Sequence, residues 1–284
     1  MTLYVSDLDG TLLNSNAELS KFSKDLLNEL LSDGMTFTVA SARSISSIRQ
    51  MLEGLALSLP VIEFNGAFIS DLQSGRHEFI NAIDSALAPE LYQVMSARGC
   101  GPFVSTYNGI EDCLYHPEPH NGGSHWYYQD RKSRSDPRLR RLEDPGISLN
   151  EQVVCLTSIA RKEELMDLAC HLADEFGSQV EIHLIENHYS PGWHWLTVHD
   201  RKATKDQAIH SLRDSLGLSS NELVVFGDQL NDLKMFSIAD LSIAVDNAVT
   251  ELKEAATSII GRNDHDSVAR FIAEHRQLSA ALGK

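Results

Sequence analysis

The chain has 284 residues, 42% of them hydrophobic, and its 40 Asp and Glu outnumber its 24 Lys and Arg to give a formal net charge of −16. This length is enough for one large domain or two smaller ones. The acidic balance argues against a nucleic-acid binder, which needs a basic face, and no apolar run approaches the ~20 residues of a membrane span. The N-terminus lacks the pattern of a signal peptide, and four scattered cysteines without a Cys-x-x-Cys pair are typical of reduced thiols. We therefore predict a cytoplasmic globular protein without nucleic-acid or membrane partners.

Strands and helices alternate at both ends of the chain, which predicts a parallel sheet with crossover helices. The elements predicted in the first segment are strand Leu3–Ser6, helix Ser20–Leu31, strand Met35–Ala40, helix Ser44–Leu55 and strand Val61–Glu63. Those predicted in the last segment are helix Thr204–Leu216, strand Leu223–Phe226, helix Asn231–Phe236, strand Ser242–Ala244 and helix Ser267–Glu274. The fold class is therefore α/β.

The middle of the chain has a different pattern. Helices are predicted at Leu87–Ala97 and Lys162–Phe176, among several short strands, and a loop-rich stretch runs around His116–Asp130. We interpret residues 84–198 as an inserted α/β domain. Residues 1–83 and 199–284 then form one discontinuous core domain.

Two carboxylates, Asp7 and Asp9, directly follow the first strand, and Gly10 comes next. Glycine allows a sharp turn because it can take φ > 0, and open α/β sheets carry their sites at the carboxyl ends of strands. Two acids this close repel each other unless a cation or a shared proton intervenes. The pair therefore indicates a metal site, a nucleophile with an acid/base partner, or both. A surface turn or a calcium loop is the alternative.

A second apolar strand, Leu223–Phe226, runs into a glycine turn that carries Asp228 and Asp232. These carboxylates would add negative charge to a pocket that already holds Asp7. A hard divalent cation relieves such repulsion, and Mg²⁺ typically takes one or two carboxylates together with substrate phosphate and water. The clustered acids therefore favour Mg²⁺ as the cofactor.

Four groups of residues, in chain order at predicted strand and helix ends, resemble the four motifs of the haloacid dehalogenase (HAD) superfamily: Asp7 with Asp9, Ser41, Lys205, and Asp228 with Asp232. The nearest resemblance is to the Cof-type sugar-phosphatase branch, whose pattern reads roughly DxDGTLL, A[TS]GR, KGxAL and GDxxND. Asn65-Gly66-Ala67 also looks like that branch. The resemblance covers about residues 1–83 and 196–284. It implies a Rossmann-like core, with residues 84–198 as an inserted α/β cap domain of type C2 that determines substrate specificity.

The resemblance also implies catalytic roles. Asp7 would attack phosphorus and form an aspartyl-phosphate, while Asp9 would protonate the leaving oxygen and later activate water. The metal ligands would be Asp7, the backbone carbonyl of Asp9, and Asp228, with Asp232 behind them. The candidate phosphate-binding residues are Leu8, Ser41, Ala42, Lys205 and Asn231, and the candidate contacts with the rest of the substrate are Arg43 and Asn65.

Several of these residues have simpler interpretations. Ser41 suits a helix N-cap as well as a phosphate contact, and Lys205 suits a solvated helix position. The family usually has glycine where Ala42 stands. It also usually has glycine directly after the phosphate-binding lysine, whereas Asp206 follows Lys205, so Lys202 is an alternative candidate for that lysine. Lys205 is preferred because Ala208, Ile209 and Leu212 then continue an amphipathic helix, as in the family pattern.

The predicted cap carries two further features. Its aromatic clusters, Trp126-Tyr127-Tyr128 and Trp193-His194-Trp195, suit either a substrate pocket or a hydrophobic core. The basic run between Arg131 and Arg141 suits a solvated face or a contact with a second anionic group. The predicted function is Mg²⁺-dependent hydrolysis of a small phosphorylated metabolite, and the expected class of substrate is a sugar phosphate. A phosphomutase and a non-catalytic metabolite-binding protein are the alternatives.

Overall fold

The computed structural model describes residues 1–99, 101–187 and 189–282. The chain divides into two compact units, of which the first combines Met1–Phe79 with Thr204–Lys284 and the second is Ile80–Ala203. The predicted α/β class with a parallel sheet is confirmed. Within the described residues, no helix has the length and apolar character needed to span a bilayer.

The first unit is built on a five-stranded sheet of order β14-β13-β12-β1-β2, in which all neighbours are parallel. A smaller sheet has the order β3-β4-β5. The strands of this unit are β1 (Thr2–Ser6), β2 (Thr36–Val39), β3 (Val61–Glu63), β4 (Phe68–Ser70), β5 (His77–Ile80), β12 (Glu222–Gly227), β13 (Leu241–Val245) and β14 (Ser258–Ile260). Its helices are α1 (Lys21–Ser32), α2 (Ile45–Met51), α6 (Lys205–Ser215), α7 (Leu233–Ser237), α8 (Thr250–Ala255) and α9 (Ser267–Leu282).

The central strands β1 and β12 place the functional loops. Both read as nearly continuous apolar runs, and Leu3, Val5, Val224 and Val225 are all fully buried. This is typical of parallel strands that are covered on both faces. The two strands pair so that Ser6 lies opposite Phe226, and their carboxyl ends therefore meet at one edge of the sheet.

The second unit contains a six-stranded sheet of order β10-β11-β9-β6-β7-β8. Its pairs are antiparallel except for β7 with β8. One hydrophobic cluster joins α3 and α5 to the sheet, with Leu91, Leu168 and Leu196 fully buried in it. The elements are α3 (Leu87–Ala97), β6 (Phe103–Tyr107), β7 (Asp112–His116), α4 (Gly122–Ser133), β8 (Leu139–Arg141), β9 (Gln152–Ala160), α5 (Lys162–Phe176), β10 (Val180–Glu186) and β11 (His194–Asp200).

The loop predicted around His116–Asp130 is wrong for much of its length, because α4 begins at Gly122. Asn121 caps this helix by accepting a hydrogen bond from the backbone N–H of Ser124, and the Ser124 hydroxyl lies 3.1 Å from the Asn121 nitrogen. This reciprocal arrangement is a capping box, which satisfies N–H groups that a helix start leaves unpaired. The sequence does not predict this helix because Gly122 and Gly123 begin it and Pro117 and Pro119 precede it, and such residues are typical of loops.

Candidate active site

The nucleophile loop begins where β1 ends. The backbone N–H of Asp7 donates to the carbonyl of Phe226 at 2.9 Å, and the Thr11 hydroxyl donates to Oδ1 of Asp228 at 3.1 Å. Between them Gly10 has φ +72°, and a Cβ there would lie 2.4 Å from Oδ2 of Asp228. A side chain at position 10 would collide with the Asp228 carboxylate, so only glycine can occupy it. The predicted turn at Gly10 therefore brings the backbone into close contact with Asp228.

Three carboxylates and one lysine form the centre of the site. One carboxylate oxygen from each of Asp7, Asp228 and Asp232 lies within 4.8 Å of the others, and all three residues are buried. Nζ of Lys205 donates to Oδ1 of Asp7 and to Oδ1 of Asp232, both at 2.6 Å. Lys205 itself is only 1% exposed. The cluster therefore combines three acids with a single buried ammonium group.

The pKa values of the cluster are shifted by burial and by mutual charge. Burial raises the pKa of Asp7 to about 7, with Lys205 opposing and Asp232 adding to the shift. Burial likewise raises the pKa of Asp228, and the charges of Asp7 and Asp232 add to it. Burial alone would lower the pKa of Lys205, but the two carboxylates that accept from it raise it overall. One lysine thus leaves the acids incompletely neutralised, which is the condition that a divalent cation relieves.

The oxygen atoms still available favour Asp7 and Asp228 as direct metal ligands. Asp232 has both oxygens committed, since Oδ1 accepts from Lys205 and Oδ2 accepts from the backbone N–H groups of Asp228 and Gln229, each at 3.0 Å. Asp7 and Asp228 each retain a carboxylate oxygen outside the hydrogen bonds described above. These hard oxygen donors suit Mg²⁺, whereas both oxygens of Asp232 are already used in hydrogen bonds.

The structure separates Lys205 from its competitor. Lys205 is the first residue of α6 and reaches the carboxylates, whereas Lys202 is exposed and only its backbone N–H bonds to Asp200, at 2.8 Å. The buried lysine contact therefore belongs to Lys205.

Among the described residues, Lys205 is the lysine that donates to the cluster, and replacing it with Met should leave the buried carboxylates without an ammonium partner. We expect metal-free protein to lose ~3 kcal/mol or more in free energy of unfolding, as when one partner of a buried ion pair is removed. Lys202→Met is the matched control and should change stability by less than about 0.5 kcal/mol. Urea unfolding in EDTA measures both, and equal effects would show that the Lys205 contacts contribute little to stability.

Asp9 lies outside the carboxylate cluster and pairs with Arg43. Nε of Arg43 donates to Oδ2 of Asp9 and Nη2 donates to Oδ1, both at 2.6 Å. This two-point arrangement is the strongest common form of an arginine–carboxylate contact, and it fixes the plane of the carboxylate. Arg43, a candidate substrate contact from the sequence, is therefore engaged with Asp9, a pairing that no local sequence pattern predicts.

The other candidate phosphate residues lie around the same edge. Ser41 is buried two residues after β2 ends, and its hydroxyl accepts from the N–H of Arg43 at 3.2 Å. The N-cap of α2 is Ser44, so the helix-cap interpretation of Ser41 is wrong. The side chain of Leu8 is fully buried, which leaves only its backbone for a ligand, while Ala42 is exposed.

Asn231 and Asn65 meet each other in the structure. Nδ2 of Asn231 donates to Oδ1 of Asn65 at 3.0 Å. Two residues that sequence analysis assigned separately, one to phosphate and one to substrate, therefore form a side-chain pair.

Sequence analysis missed two asparagines that hold the nucleophile loop. Nδ2 of Asn247 donates to the carbonyl of Gly10 at 2.7 Å, and Nδ2 of Asn263 donates to the carbonyl of Leu13 at 2.9 Å. The signal available for Asn263 is its segment, Asn263-Asp264-His265-Asp266-Ser267-Val268, which also looks like the Cof-type pattern. Asn247 follows β13 without any comparable signal in its neighbours.

The aromatic and basic residues of the second unit are largely engaged with one another. Tyr127 packs in a cluster with Phe103 and Ile159, which favours the core interpretation for that residue. In the basic run, Arg138 is buried and donates to both oxygens of Asp136, at 3.0 and 2.7 Å. Arg131, Arg140 and Arg141 also form ion pairs, with Asp130, Glu111 and Glu118 respectively. These contacts account for much of the run without a substrate.

Comparison with known proteins decides the family. The family of haloacid dehalogenase-like hydrolases matches residues 4–272 of this chain. The chain belongs to the haloacid dehalogenase-like hydrolases.

Two curated relatives of this HAD-like hydrolase are phosphatases by name. It is 23% identical over 279 residues to a 5-amino-6-(5-phospho-D-ribitylamino)uracil phosphatase of Bacillus subtilis, covering 97% of this chain and 98% of the relative. It is 24% identical over 273 residues to a pyridoxal phosphate phosphatase of Escherichia coli, covering 95% and 96%.

Solved structures of similar proteins agree with the fold. A protein of Thermotoga maritima superposes with a TM-score of 0.75 at 27% identity, covering 96% of both chains. A haloacid dehalogenase-like hydrolase of B. subtilis superposes with a TM-score of 0.78 at 23% identity, covering 96% of this chain and 99% of that one. The HAD-like hydrolase fold therefore extends over nearly the whole chain.

Proposed function

We propose that this HAD-like hydrolase is a Mg²⁺-dependent phosphatase of small phosphorylated metabolites and that it works through an aspartyl-phosphate on Asp7. The observation that carries the proposal is the buried contact of Asp7 with Lys205, in a cluster with Asp228. A carboxylate held at a strand end, with one oxygen bound and the other free, is arranged as a nucleophile.

The protein residues divide the reaction between them. The Asp7 carboxylate attacks phosphorus in line, and Lys205, which donates to Oδ1 of Asp7, offsets the negative charge on the phosphoryl group. Asp9 protonates the leaving oxygen and then takes a proton from the attacking water. Asp7, the Asp9 carbonyl and Asp228 would hold Mg²⁺, which would supply positive charge to stabilise the phosphoryl oxygens. Ser41, Ala42, Asn231 and the backbone of Leu8 complete the phosphate contacts.

The names of the relatives guide the choice of substrate class. One relative is named for a phospho-D-ribitylamino derivative of uracil and the other for pyridoxal phosphate. We expect sugar phosphates to be the preferred substrates, followed by phosphorylated cofactors and their precursors. We assign the discrimination between these substrates to the cap.

Phosphate release from a panel of sugar phosphates, nucleotides and cofactor phosphates tests the proposal. We expect hydrolysis of at least one small phosphate monoester, loss of activity in EDTA and recovery with added Mg²⁺, because clustered acids need the cation. Undiminished turnover in EDTA would contradict the metal assignment. Transfer of phosphate between positions of a sugar without release would identify a phosphomutase, and binding without either reaction would identify a non-catalytic protein.

A further inference from the structure

A fully buried carboxylate that the proposed mechanism does not use lies beside the start of α2. Glu63, the last residue of β3, is 0% exposed. Its Oε2 accepts from the backbone N–H of Ile45, and its Oε1 accepts from the Ser70 hydroxyl, both at 2.5 Å. Ionisable side chains are almost never fully buried without such partners, because burial removes their hydration. The role of Glu63 therefore lies in the contacts that it makes inside the protein.

Ser70 joins Glu63 to His77 at the start of β5. Because the Ser70 hydroxyl donates to Glu63, its oxygen accepts from Nδ1 of His77, which lies 2.7 Å away. Phe68 stacks on the imidazole ring, with 3.9 Å between the ring centroids. In a nucleophilic triad the histidine lies between the serine and the acid, whereas here the serine lies in the middle. Ser70 is also fully buried, so these residues fix the Glu63 carboxylate in place and do not form a second hydrolytic site.

Glu63 supplies a contact at the start of α2 that the N-cap residue does not supply. Ile45 is the first residue of this helix, and among the described residues the Ser44 side chain makes no capping hydrogen bond. A helix start leaves backbone N–H groups without partners inside the helix, and a negative charge there is favourable. The Glu63 carboxylate reaches one of these N–H groups from β3. It therefore determines where α2 begins relative to that strand.

The same segment holds the backbone of Arg43. The N–H of Phe64 donates to the Arg43 carbonyl at 3.1 Å, directly beside the contact of Glu63 with Ile45. Phe64 has φ +48°, which a bulky residue rarely adopts, and such backbone persists only where surrounding contacts hold it. The Glu63 hydrogen bonds are contacts of this kind. Arg43 is thereby held where its guanidinium makes the two-point contact with Asp9.

We propose that Glu63 is a positioning residue for the acid/base of the reaction. By fixing the start of α2 it sets the place of Arg43, and Arg43 holds the Asp9 carboxylate. The inference rests on the proposed function and deepens it. Since Glu63 acts through its neighbours, its loss should impair proton transfer by Asp9 more than the attack on phosphorus.

Two substitutions remove the hydrogen bond between Glu63 and Ile45 from opposite sides. Glu63→Met has a similar length but no oxygen acceptor. Ile45→Pro lacks the N–H, and proline suits this position because Ile45 is the first helical residue and Ser44 before it has an extended backbone, with φ −81° and ψ 160°. Glu63→Gln is the conservative variant. Its amide oxygen can accept from Ile45 while its amide nitrogen donates to the Ser70 oxygen, and the Ser70 proton then turns to His77.

Steady-state kinetics on two substrates measure the effect as a leaving-group ratio, which is kcat/KM for a sugar phosphate divided by kcat/KM for nitrophenyl phosphate. We expect Glu63→Met and Ile45→Pro each to lower this ratio about tenfold, because nitrophenolate leaves without a proton. Glu63→Gln should keep most of the natural ratio. Ile45→Ala keeps the N–H and reports the effect of a shorter side chain alone. Thr38→Val is the matched control, because it removes a buried hydroxyl that donates to the Pro60 carbonyl at 2.6 Å, and it should leave the ratio unchanged.

A double-mutant cycle shows whether the two substitutions act through one hydrogen bond. If they do, Ile45→Pro should have almost no further effect on the leaving-group ratio in the Glu63→Met background. Additive effects would overturn the link between Glu63 and Ile45. A natural ratio in folded Glu63→Met protein would overturn the positioning role and leave the phosphatase proposal intact. If Glu63→Met does not fold, the comparison of Ile45→Pro with Ile45→Ala decides the same question.

Hydrogen exchange followed by NMR tests the link without a substrate. In Glu63→Met the amide proton of Ile45 and the Nε proton of Arg43 should exchange about tenfold faster than in the natural chain, because each loses a fixed acceptor. Unchanged exchange at Arg43 would overturn the link from Glu63 to Asp9. Faster exchange at both positions, in a natural chain that hydrolyses no member of the panel, would overturn the phosphatase proposal and uphold the link.

Discussion

Asp7→Asn should reduce kcat by at least about a thousandfold, a barrier increase of ~4 kcal/mol. The amide has nearly the same shape as the carboxylate, and its oxygen can still accept from Lys205, so the fold should be retained. What disappears is the negatively charged oxygen that attacks phosphorus. Steady-state kinetics on the best substrate of the panel, with thermal unfolding as the check on folding, measure the effect.

Trapping the intermediate makes the Asp7 test specific. Acid-quenched natural protein should carry label from a ³²P-labelled substrate, and the Asp7→Asn variant should carry none. Asp228→Asn is the matched comparison, because it changes another carboxylate of the cluster without removing the nucleophile. We expect it to weaken Mg²⁺ binding and to show label again at high Mg²⁺. An Asp7→Asn variant that kept more than roughly one part in a thousand of kcat would mean that water attacks phosphorus directly.

Asp9→Asn should affect the two half-reactions differently according to the leaving group. An alkoxide leaves only with a proton, so hydrolysis of a sugar phosphate should slow by about 10²–10⁴-fold. A nitrophenolate leaves without one, so the variant should still form the aspartyl-phosphate from nitrophenyl phosphate. The second step still needs a base to activate water, and the intermediate should persist. Rapid mixing should then show a burst of nitrophenol that approaches one equivalent per site, followed by slow turnover.

The pairing of Asp9 with Arg43 supplies the control for that experiment. Arg43→Lys keeps the positive charge but loses the two-point contact with the carboxylate. It should slow sugar-phosphate hydrolysis more than nitrophenyl phosphate hydrolysis and produce no accumulated intermediate. Mg²⁺ affinity should be unchanged in Asp9→Asn, because the Asp9 side chain is engaged with Arg43 and lies outside the carboxylate cluster. Equal slowing of both substrates without a burst would make Asp9 a structural residue.

The sequence by itself determined the parts of this protein that depend on local pattern. Apolar runs such as Leu223–Phe226 predicted buried parallel strands, and the acids that follow them predicted a charged site at the strand ends. Both inferences hold because neighbouring parallel strands bring their carboxyl ends to one sheet edge, whatever the connections between them. The same reasoning does not predict helix α4, since its start depends on the capping box of Asn121 rather than on apolar periodicity.

Only the tertiary structure decided which side chains meet at that edge. Lys205 reaches Asp7 across 198 positions of the chain, and Asn231 reaches Asn65 across 166. The pairing of Arg43 with Asp9 spans 34 positions and has no local signal either. Strand pairing fixes where the backbone of each loop begins, but the direction of a polar side chain depends on the partners that burial brings to it. A buried charge or amide must find such a partner, and that requirement is met only when the whole sheet has assembled.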